Sequence, residues 1–531
     1  MEFFLEQLGG AEIKWETLSH NGVLFPPPYQ PHKVPVIYQG RSIVLDPESE
    51  ELATMYAKYI GSEYVNNRVF NKNFWNEWKK VLGPNHVIKD LAGVDFGLIN
   101  QYLIDQKAVS KVSKEEKERE AEHYKYAMVD GRKEAVGNFR IEPPGIFLGR
   151  GCNPNLGKIK RRVYPEDVII NIGEDADVPK VQGHRWKEVV HDHTSVWLAS
   201  WKDLITGKTK YVWLANSSEF KKDSDMSKFD LARKLKRKIK GIRSSNSELM
   251  MNGTEIQKQL AVAFYFIDQF ALRVGNEKGK SQADTVGVTT LRVEHVTLLG
   301  DRKVKLDFLG KDSVRYNRIL EVPQVVYENL EQMMKGKEKK DNLFDLVNSQ
   351  MINRYLEGYM PGLTSKVFRT FNASYLYAKE LKKIDQKMKD YDKIDKVSVL
   401  LDEMNKANAK VAMLCNHQKN VSASLKDQVG KIDESIKIAK KKTRDLKKAK
   451  KPNKERIERA QIALKKLRAR KEMKVQLKNI SLGTSKVNYI DPRITIAFIK
   501  RHQIPIDKVF TKTLQEKFKW AQELADASFV F

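Results

Sequence analysis

Residues 425 to 475 constrain this chain more than any other stretch. Leu425, Val429, Ile432, Ile436, Ala439, Thr443 and Leu446 recur at alternating spacings of four and three. After a break at Pro452 and Asn453 the pattern resumes at Ile457, Ala460, Leu464 and Leu467. Such a repeat makes a narrow apolar seam between two helices, and the short break folds them back antiparallel. The outer faces are basic, with Lys440, Lys441, Lys442, Lys447, Lys448, Lys450 and Lys451 among them. A seam this narrow is too small a core for a domain. The hairpin therefore reads as an arm, and it carries no chemistry of its own. The chain before it must build separate cores. The segment after it, "NISLGTSKVNYIDPR", is polar and contains glycine; it reads as a loop carrying Tyr489 and must lead back into a compact helical module through "RITIAFIKRH" and "TLQEKFKWAQELA".

Composition bounds the partner. The 531 residues include 96 Lys plus Arg against 68 Asp plus Glu, a net charge of +28. An excess of that size calls for a polyanion. Nucleic acid is the leading reading, because phosphate neutralisation releases counterions. An anionic membrane is the weaker one: no lipidation motif is present, and the basic segments do not alternate with exposed Trp or Phe. No run of eighteen apolar residues predicts a membrane-spanning helix, and the opening residues "MEFFLEQLGGAEIKW" do not read as a secretory signal. Hydrophobic residues are 41 % of the chain, enough for real cores, and the length suggests about three or four domains. The two cysteines, Cys152 and Cys415, are far apart; they suggest a reducing compartment and cannot form a CxxC zinc site.

Along the chain, the charged stretch 107 to 123 reads as an exposed helix with a solvated face. Residues 141 to 170 are punctuated by Gly and Pro and read as loops that hold Arg150, Lys158, Lys160, Arg161 and Arg162 against an anionic surface. "SVWLASW" and "KYVWLAN" read as strands. His184, His191 and His193 lack the acidic or cysteine partners of a metal site and are expected to be structural. Ile256, Leu260, Phe264, Ile267, Phe270 and Val274 repeat at three and four, which predicts a helix capped by Gly275, with Arg273 in its last turn. "KVKLDFLGKDSVRYNRIL" predicts a β-hairpin with Lys311 at its tip. One helix carries Arg369 in its first turns. Another, with the stripe Met404, Ala407, Val411 and Leu414, points on to His417.

Five segments then converge. "ALRVGNEK", "FLGKDSVRY", "SKVFRTFNAS", "LCNHQK" and "GTSKVNYIDPRIT" resemble the signature segments of the eukaryotic nuclear type IB DNA topoisomerases, in the family's order, with the arm between the last two where the family has its linker. "IKWETLSHNGVLFPPPY" and "IEPPGIFLGRG" resemble it too, and the likeness runs from about residue 11 to the end. It implies an α+β multidomain protein, a two-lobed clamp around duplex DNA. Residues 1–218 would form a mixed α/β cap lobe and DNA-binding region. Residues 219–420 would form a mainly helical catalytic lobe of the tyrosine recombinase/topoisomerase IB type. An antiparallel coiled-coil linker would follow at 421–478, and a small helical C-terminal domain with the nucleophilic tyrosine at 479–531. The family's catalytic set falls on Arg273, Lys311, Arg369, His417 and Tyr489, and its DNA contacts on Arg150, Asp312, Lys366, Thr484 and Asn488.

The implied chemistry is relaxation of supercoiled duplex DNA. Tyr489 attacks a phosphodiester to give a 3′-phosphotyrosine and a free 5′-hydroxyl, the downstream duplex rotates, and the strand is resealed. No cofactor is implied, neither ATP nor a divalent metal, and no G-x-x-x-x-G-K-[ST] loop is present. The implied partner is duplex DNA with weak sequence preference, the implied state a nuclear monomer without a membrane partner, and the implied inhibitors camptothecin-like. Three departures stand out. The family's long charged N-terminal tail is not seen; Leu148 stands where many members have arginine; and Asn155 stands where lysine is common, which is expected to weaken clamp closure. Two other readings remain, a tyrosine site-specific recombinase sharing the Arg-Lys-Arg-His-Tyr logic and a non-enzymatic basic DNA-binding protein.

Overall fold

The computed structural model describes residues 13–109, 119, 121–149, 151, 153–277, 283–388, 396–419, 425–449 and 453–531. Arg150, Cys152, Lys450, Lys451 and most of the charged stretch 107–123 lie outside the described residues. The chain divides into two compact units, Met1–Asp223 with Lys278–Asp284, and Ser224–Glu277 with Thr285–Phe531. No helix among the described residues is long and apolar enough to cross a membrane.

The first unit mixes helices and small sheets around two cores. One core lies under the helices Pro47–Ala57, Arg68–Leu82 and Gly97–Val109. The second of these shows why: Phe70, Phe74 and Trp78 repeat every four residues, so they share one face, and all three are fully buried. Asn67 caps its start by accepting from the Val69 and Phe70 amides. The other core is walled by two sheets. Leu18–His20 pairs with Tyr126–Val129, which pairs with Arg132–Ala135. Val168–Asn171 sits between Glu188–Val190, its parallel neighbour, and the antiparallel Trp197–Lys202, which in turn pairs with Thr209–Trp213. His191 Nδ1 bonds to the Ile172 carbonyl at 2.6 Å, His193 stacks on Trp15 at 4.1 Å, and His184 faces Glu166. Each of the three histidines is thus occupied structurally. Among the described residues no cluster of His, Cys, Asp or Glu could hold a metal ion.

The second unit is mainly helical. Its core is packed by the helices Glu255–Phe270, Gln324–Met334, Ser349–Glu357, Ser365–Lys387 and Lys396–Leu414, with the antiparallel sheet Val296–Leu298, Lys303–Leu309 and Arg315–Glu321. Residues Leu425–Lys448 and Lys454–Gln476 form two consecutive helices that face each other along the seam. Ile432, Ile436, Thr443 and Ala460 are buried there, the lysines outside are exposed, and Lys471 pairs with Asp433 across the gap at 2.6 Å.

Two details differ from the sequence reading. The helix expected to run to Val274 ends at Phe270, because Ala271 turns left-handed (φ 50°) and Leu272 to Val274 follow outside any helix. Arg273 is therefore not in a helical last turn. "GTSKVN" is not a loop: Leu482–Asn488 is a short helix, and Tyr489 is its C-cap. Only one face of that helix is buried, around Ser485, so it shows no apolar periodicity.

Buried His20 makes the first unit acid-sensitive. Its Nε2 donates to the Asn171 carbonyl at 3.0 Å, and its Nδ1 accepts from the Gly22 amide at 3.0 Å, a pair of bonds that needs the neutral ring. Burial pulls its pKa from 6.5 down to about 4, against a smaller upward pull from the Asn171 bond. Below pH 6.5 the unfolded chain takes up a proton that the folded chain refuses, so stability falls as pH drops towards about 4. His20 should contribute about 1.4 kcal/mol per pH unit to that slope. Urea unfolding between pH 7 and pH 4 should show a shallower slope for His20→Gln than for the wild type; parallel slopes would remove this account.

Candidate active site

The site of the second unit is assembled by local turns. The helix Lys396–Leu414 ends with Asn416 left-handed (φ 52°), the His417 amide donating to Ala412 at 2.8 Å and the Asn416 amide to Met413 at 3.1 Å. This is a Schellman turn, and it delivers His417 at a fixed angle just past the helix. Asn at that position tolerates the left-handed backbone. The chain on the far side of the two-helix arm then returns to the same place. The Ser481 amide donates to the His417 carbonyl at 2.9 Å and the Lys419 amide to Asn479 at 2.8 Å. The next helix, Leu482–Asn488, starts against His417 and ends at Tyr489.

Arg273 is held by a close backbone approach. Its carbonyl accepts from the Val288 amide at 2.9 Å, and the Val274 carbonyl accepts from Thr289 at 2.7 Å. Gly275 and Gly287 make this possible: a Cβ on Gly287 would lie 2.4 Å from the Gly275 Cα and 2.8 Å from the Arg273 oxygen. Gly275 also has φ +91°.

Arg369 sits on the helix Ser365–Lys387 and is only 5 % exposed. Its two terminal nitrogens donate to the carbonyls of Ala271 and Cys415, the latter at 3.1 Å. The left-handed Ala271 turns its carbonyl to this bond. The guanidinium lies over the Tyr489 ring, 5.0 Å from its centre. Arg273 Nη1 donates to the Tyr489 hydroxyl at 3.1 Å. The His417 ring lies beside the same phenol with centroids 5.1 Å apart. Ser374, buried on the Arg369 helix, fixes the backbone by donating to the Tyr489 carbonyl at 3.0 Å and accepting from the Asp491 amide at 2.9 Å.

Arg273, Arg369 and His417 line one pocket together with Lys311, Asp312 and Thr484, and the Tyr489 phenol lies against the first three of these from behind that lining. Lys311 comes from the turn between Lys303–Leu309 and Arg315–Glu321, whose Asp312 and Ser313 are left-handed (φ 65° and 57°). Thr484 faces Ser481 at 3.1 Å between hydroxyls. Asn488 is exposed, its amide donating to the Thr484 carbonyl. Lys366 is exposed on the Arg369 helix and does not line the pocket. Arg150 lies outside the described residues.

The electrostatics are one-sided. Burial pushes the Tyr489 phenol up, but the charges of Arg369 and Arg273 and their hydrogen bonds outweigh it, and the net shift is below the usual tyrosine value. His417 is 6 % exposed. Burial, and then the same two arginines, hold its pKa at about 3, so the ring is neutral across the physiological range. Two buried donors-in-waiting, His417 Nε2 and Arg369 Nε, have no hydrogen-bond partner. Buried polar groups are rarely left so. Unpartnered nitrogens beside uncompensated guanidinium charge fit an anion such as a phosphate.

Ser485 and Ser374 escaped the sequence reading, which singled out Thr484 and Asn488. Ser485 was accessible to it, since it lies four residues before Tyr489 and so on the same helical face. The carbonyl anchors of Arg369 have no side-chain signature.

Comparison with known proteins agrees with this geometry. The chain matches the DNA binding fragment of eukaryotic DNA topoisomerase I over residues 13–214, its catalytic core over 217–450, and the C-terminal topoisomerase domain over 461–531. It is 43 % identical to DNA topoisomerase 1 beta of Arabidopsis thaliana over 557 aligned residues, which cover 98 % of this chain and 60 % of the plant protein. It is 42 % identical to DNA topoisomerase 1 of Caenorhabditis elegans, covering 99 % of this chain and 69 % of the relative. For DNA topoisomerase 1 of Homo sapiens the figures are 40 %, 98 % and 72 %. The chain belongs to the eukaryotic DNA topoisomerase I family. It spans about three fifths of the length of the plant relative.

The backbone beyond Tyr489 rests on a buried ion pair. Asp491 is fully buried and caps the helix Pro492–Arg501 through the Arg493 amide at 3.0 Å. Arg493 binds it side on, at 2.8 Å, and reaches Asp230 at 2.8 Å with its other nitrogen. Arg493→Ala would strand the carboxylate, at a cost of about 3–5 kcal/mol. Chemical denaturation should show a loss of that size; a change within about 0.5 kcal/mol, as for an ordinary surface site, would refute it.

Proposed function

We propose that this protein relaxes supercoiled duplex DNA without ATP, by transient cleavage of one strand through a 3′-phosphotyrosine at Tyr489, rotation and resealing. The observation that carries the reading is the Tyr489 phenol held at 3.1 Å from Arg273 and under Arg369, against the pocket that these arginines line with His417, whose Nε2 is buried and unpartnered. A family likeness over nearly the whole chain supports it.

In this reading the phosphodiester enters the pocket with its non-bridging oxygens towards Arg273, Arg369 and His417. Guanidinium groups suit the task, since they remain charged and bind phosphate oxygens in a fork. Tyr489 Oη attacks the phosphorus as the bond to the 5′-oxygen breaks, and Lys311 gives that oxygen its proton. The phenol proton leaves to water; two cations beside the oxygen favour its loss, and neutral His417, with its pKa at about 3, is a poor base. Catalysis is then mainly positioning and charge stabilisation. The ester energy is kept in the phosphotyrosine bond, so resealing is the reverse attack by the 5′-hydroxyl. No step calls for a nucleotide or a metal ion.

The partner is duplex DNA, read through its phosphates with weak sequence preference, and the enzyme acts as a nuclear monomer. Residues 1–218 and 219–420 serve as the two lobes of a clamp, residues 421–478 as a coiled-coil arm, and residues 479–531 as the domain that presents Tyr489. Asp312, Lys366, Thr484, Asn488 and Arg150 contact DNA near the cleavage site. The arm's lysines add non-specific affinity, since each phosphate contact steepens the salt dependence of binding by about 0.9 in the log–log slope.

Two measurements test this. Tyr489→Phe should lower relaxation of a single supercoiled circle by more than about 10³-fold while leaving DNA affinity within about twofold, because affinity comes from many phosphate contacts. Measurable relaxation by the Phe variant would displace Tyr489 as the nucleophile. Lys311→Ala should slow cleavage about 10²- to 10⁴-fold, and a substrate with sulfur at the 5′-bridging position should restore the rate, since a thiolate leaves without a proton. Equal defects on both substrates would take the proton-donor role from Lys311.

A further inference from the structure

Ser485 stands four residues before Tyr489 and is not among the residues that line the pocket. It is fully buried, and its Oγ lies 2.8 Å from His417 Nδ1. That bond can run in two directions. If the ring donated from Nδ1, Nε2 would present a bare lone pair, and a phosphate oxygen in the pocket would meet repulsion there. If the serine hydroxyl donates to Nδ1, the ring proton must sit on Nε2, the nitrogen that has no partner. The Ser485 hydroxyl shows no other hydrogen-bond acceptor, and a buried hydroxyl proton needs one. Both considerations select the second direction.

We propose that Ser485 is a positioning residue: by donating to His417 Nδ1 it fixes the neutral Nε2–H tautomer and aims one uncharged donor at the phosphate. The inference rests on the phosphoryl-transfer reading above. Cationic capture by the ring is excluded by its surroundings. Arg273 and Arg369 face His417, Tyr489 lies alongside it, and Cys415 comes two residues before it; Lys311 and Asp312 line the same pocket, but burial and the two arginines set the ring's charge. A ring that cannot charge can still hold either tautomer, and only the hydroxyl chooses. The same short helix thus places both the Tyr489 phenol and the residue that orients its neighbour. Ser485 also accepts the Tyr489 amide through its carbonyl at 3.0 Å, which couples the ring's orientation to the nucleophile's position.

The test uses the full chain with histidine labelled in both ring nitrogens and His417 assigned by difference from His417→Gln. The nitrogen spectrum of the wild type should show Nε2 protonated and Nδ1 bare, without titration between pH 5 and pH 9. A proton on Nδ1 would overturn the proposal with no variant needed. Ser485→Ala should let the Nδ1-protonated form appear, and single-turnover cleavage should slow about tenfold, as expected for losing one directed hydrogen bond to a charged oxygen. DNA affinity should stay within about twofold. Ser485→Thr, which keeps the hydroxyl, should restore both the spectrum and the rate. A Ser485→Ala protein whose tautomer shifts while cleavage is unchanged would also overturn the proposal. The tautomer is read without DNA, so it stands or falls apart from the Tyr489→Phe relaxation assay.

Discussion

A guanidinium kept almost wholly out of water organises the second unit. Among the described residues Arg369 has no carboxylate against it. Its charge is solvated by two backbone carbonyls, Ala271 and Cys415, and by the face of the Tyr489 ring. Carbonyl dipoles can hold a buried cation without neutralising it, whereas a salt bridge would cancel the field. The field is what the site has to offer. With Arg273 it lowers the Tyr489 phenol against the upward push of burial, adds to the burial that keeps His417 neutral, and leaves Arg369 Nε without a partner. The two carbonyls come from the ends of two helices, Glu255–Phe270 and Lys396–Leu414, so Arg369 also ties together the segments that carry Arg273 and His417.

The surrounding structure shows where acidic groups are tolerated. Asp491 lies two residues beyond Tyr489, yet it is turned away from the pocket and bound by Arg493, which Asp230 shares. Burial raises its carboxyl, and the Arg493 hydrogen bond and charge pull it back. Ser374 stands between this pair and Tyr489, bonded to the backbone on both sides. Neutral hydroxyls therefore flank Tyr489 on the protein side: Ser374 at its carbonyl and Ser485 at its histidine neighbour. Each supplies direction without charge, and neither offsets the arginine field.

Much of this was legible in the sequence, and the rest was hidden for identifiable reasons. The arm showed itself through its repeat, because a helix pair with one shared face must alternate four and three. Lys311 in a turn followed from strand alternation around "GKDS", and the helix that leads to His417 followed from its apolar stripe. The end of the helix before Arg273 did not. Gly275 looked like the cap, but Ala271 took the left-handed turn, a conformation that costs an alanine about 1 kcal/mol and that local propensity would not choose. Its carbonyl bond to Arg369 offsets that cost, and a contact 98 residues away leaves no mark on the local pattern. The glycines instead serve a packing need, the close approach of Gly275 and Gly287. Tyr489 looked like a loop residue because its helix is two turns long and buries a serine rather than a leucine.

The +28 charge and the buried arginine field are two scales of one arrangement. Exposed lysines, such as those on the arm, interact through water and are screened within about 10 Å at ordinary salt. They can gather a polyanion but cannot discriminate one phosphate among many. Arg273, Arg369 and His417 are buried or half-buried, and at contact distance in such a pocket each directed bond to a phosphate would be worth several times more. An empty pocket of this kind holds uncompensated charge and unmade hydrogen bonds, both of which weaken the folded state. A bound phosphate satisfies them together, so by linkage the anion that the site recognises also stabilises the fold that presents it. Affinity spread over the surface and chemistry concentrated in the core are thereby separable. On the proposed reading, removing a surface lysine alters how strongly a polyanion is held, whereas disturbing a single buried hydroxyl alters what happens to one phosphate once it arrives.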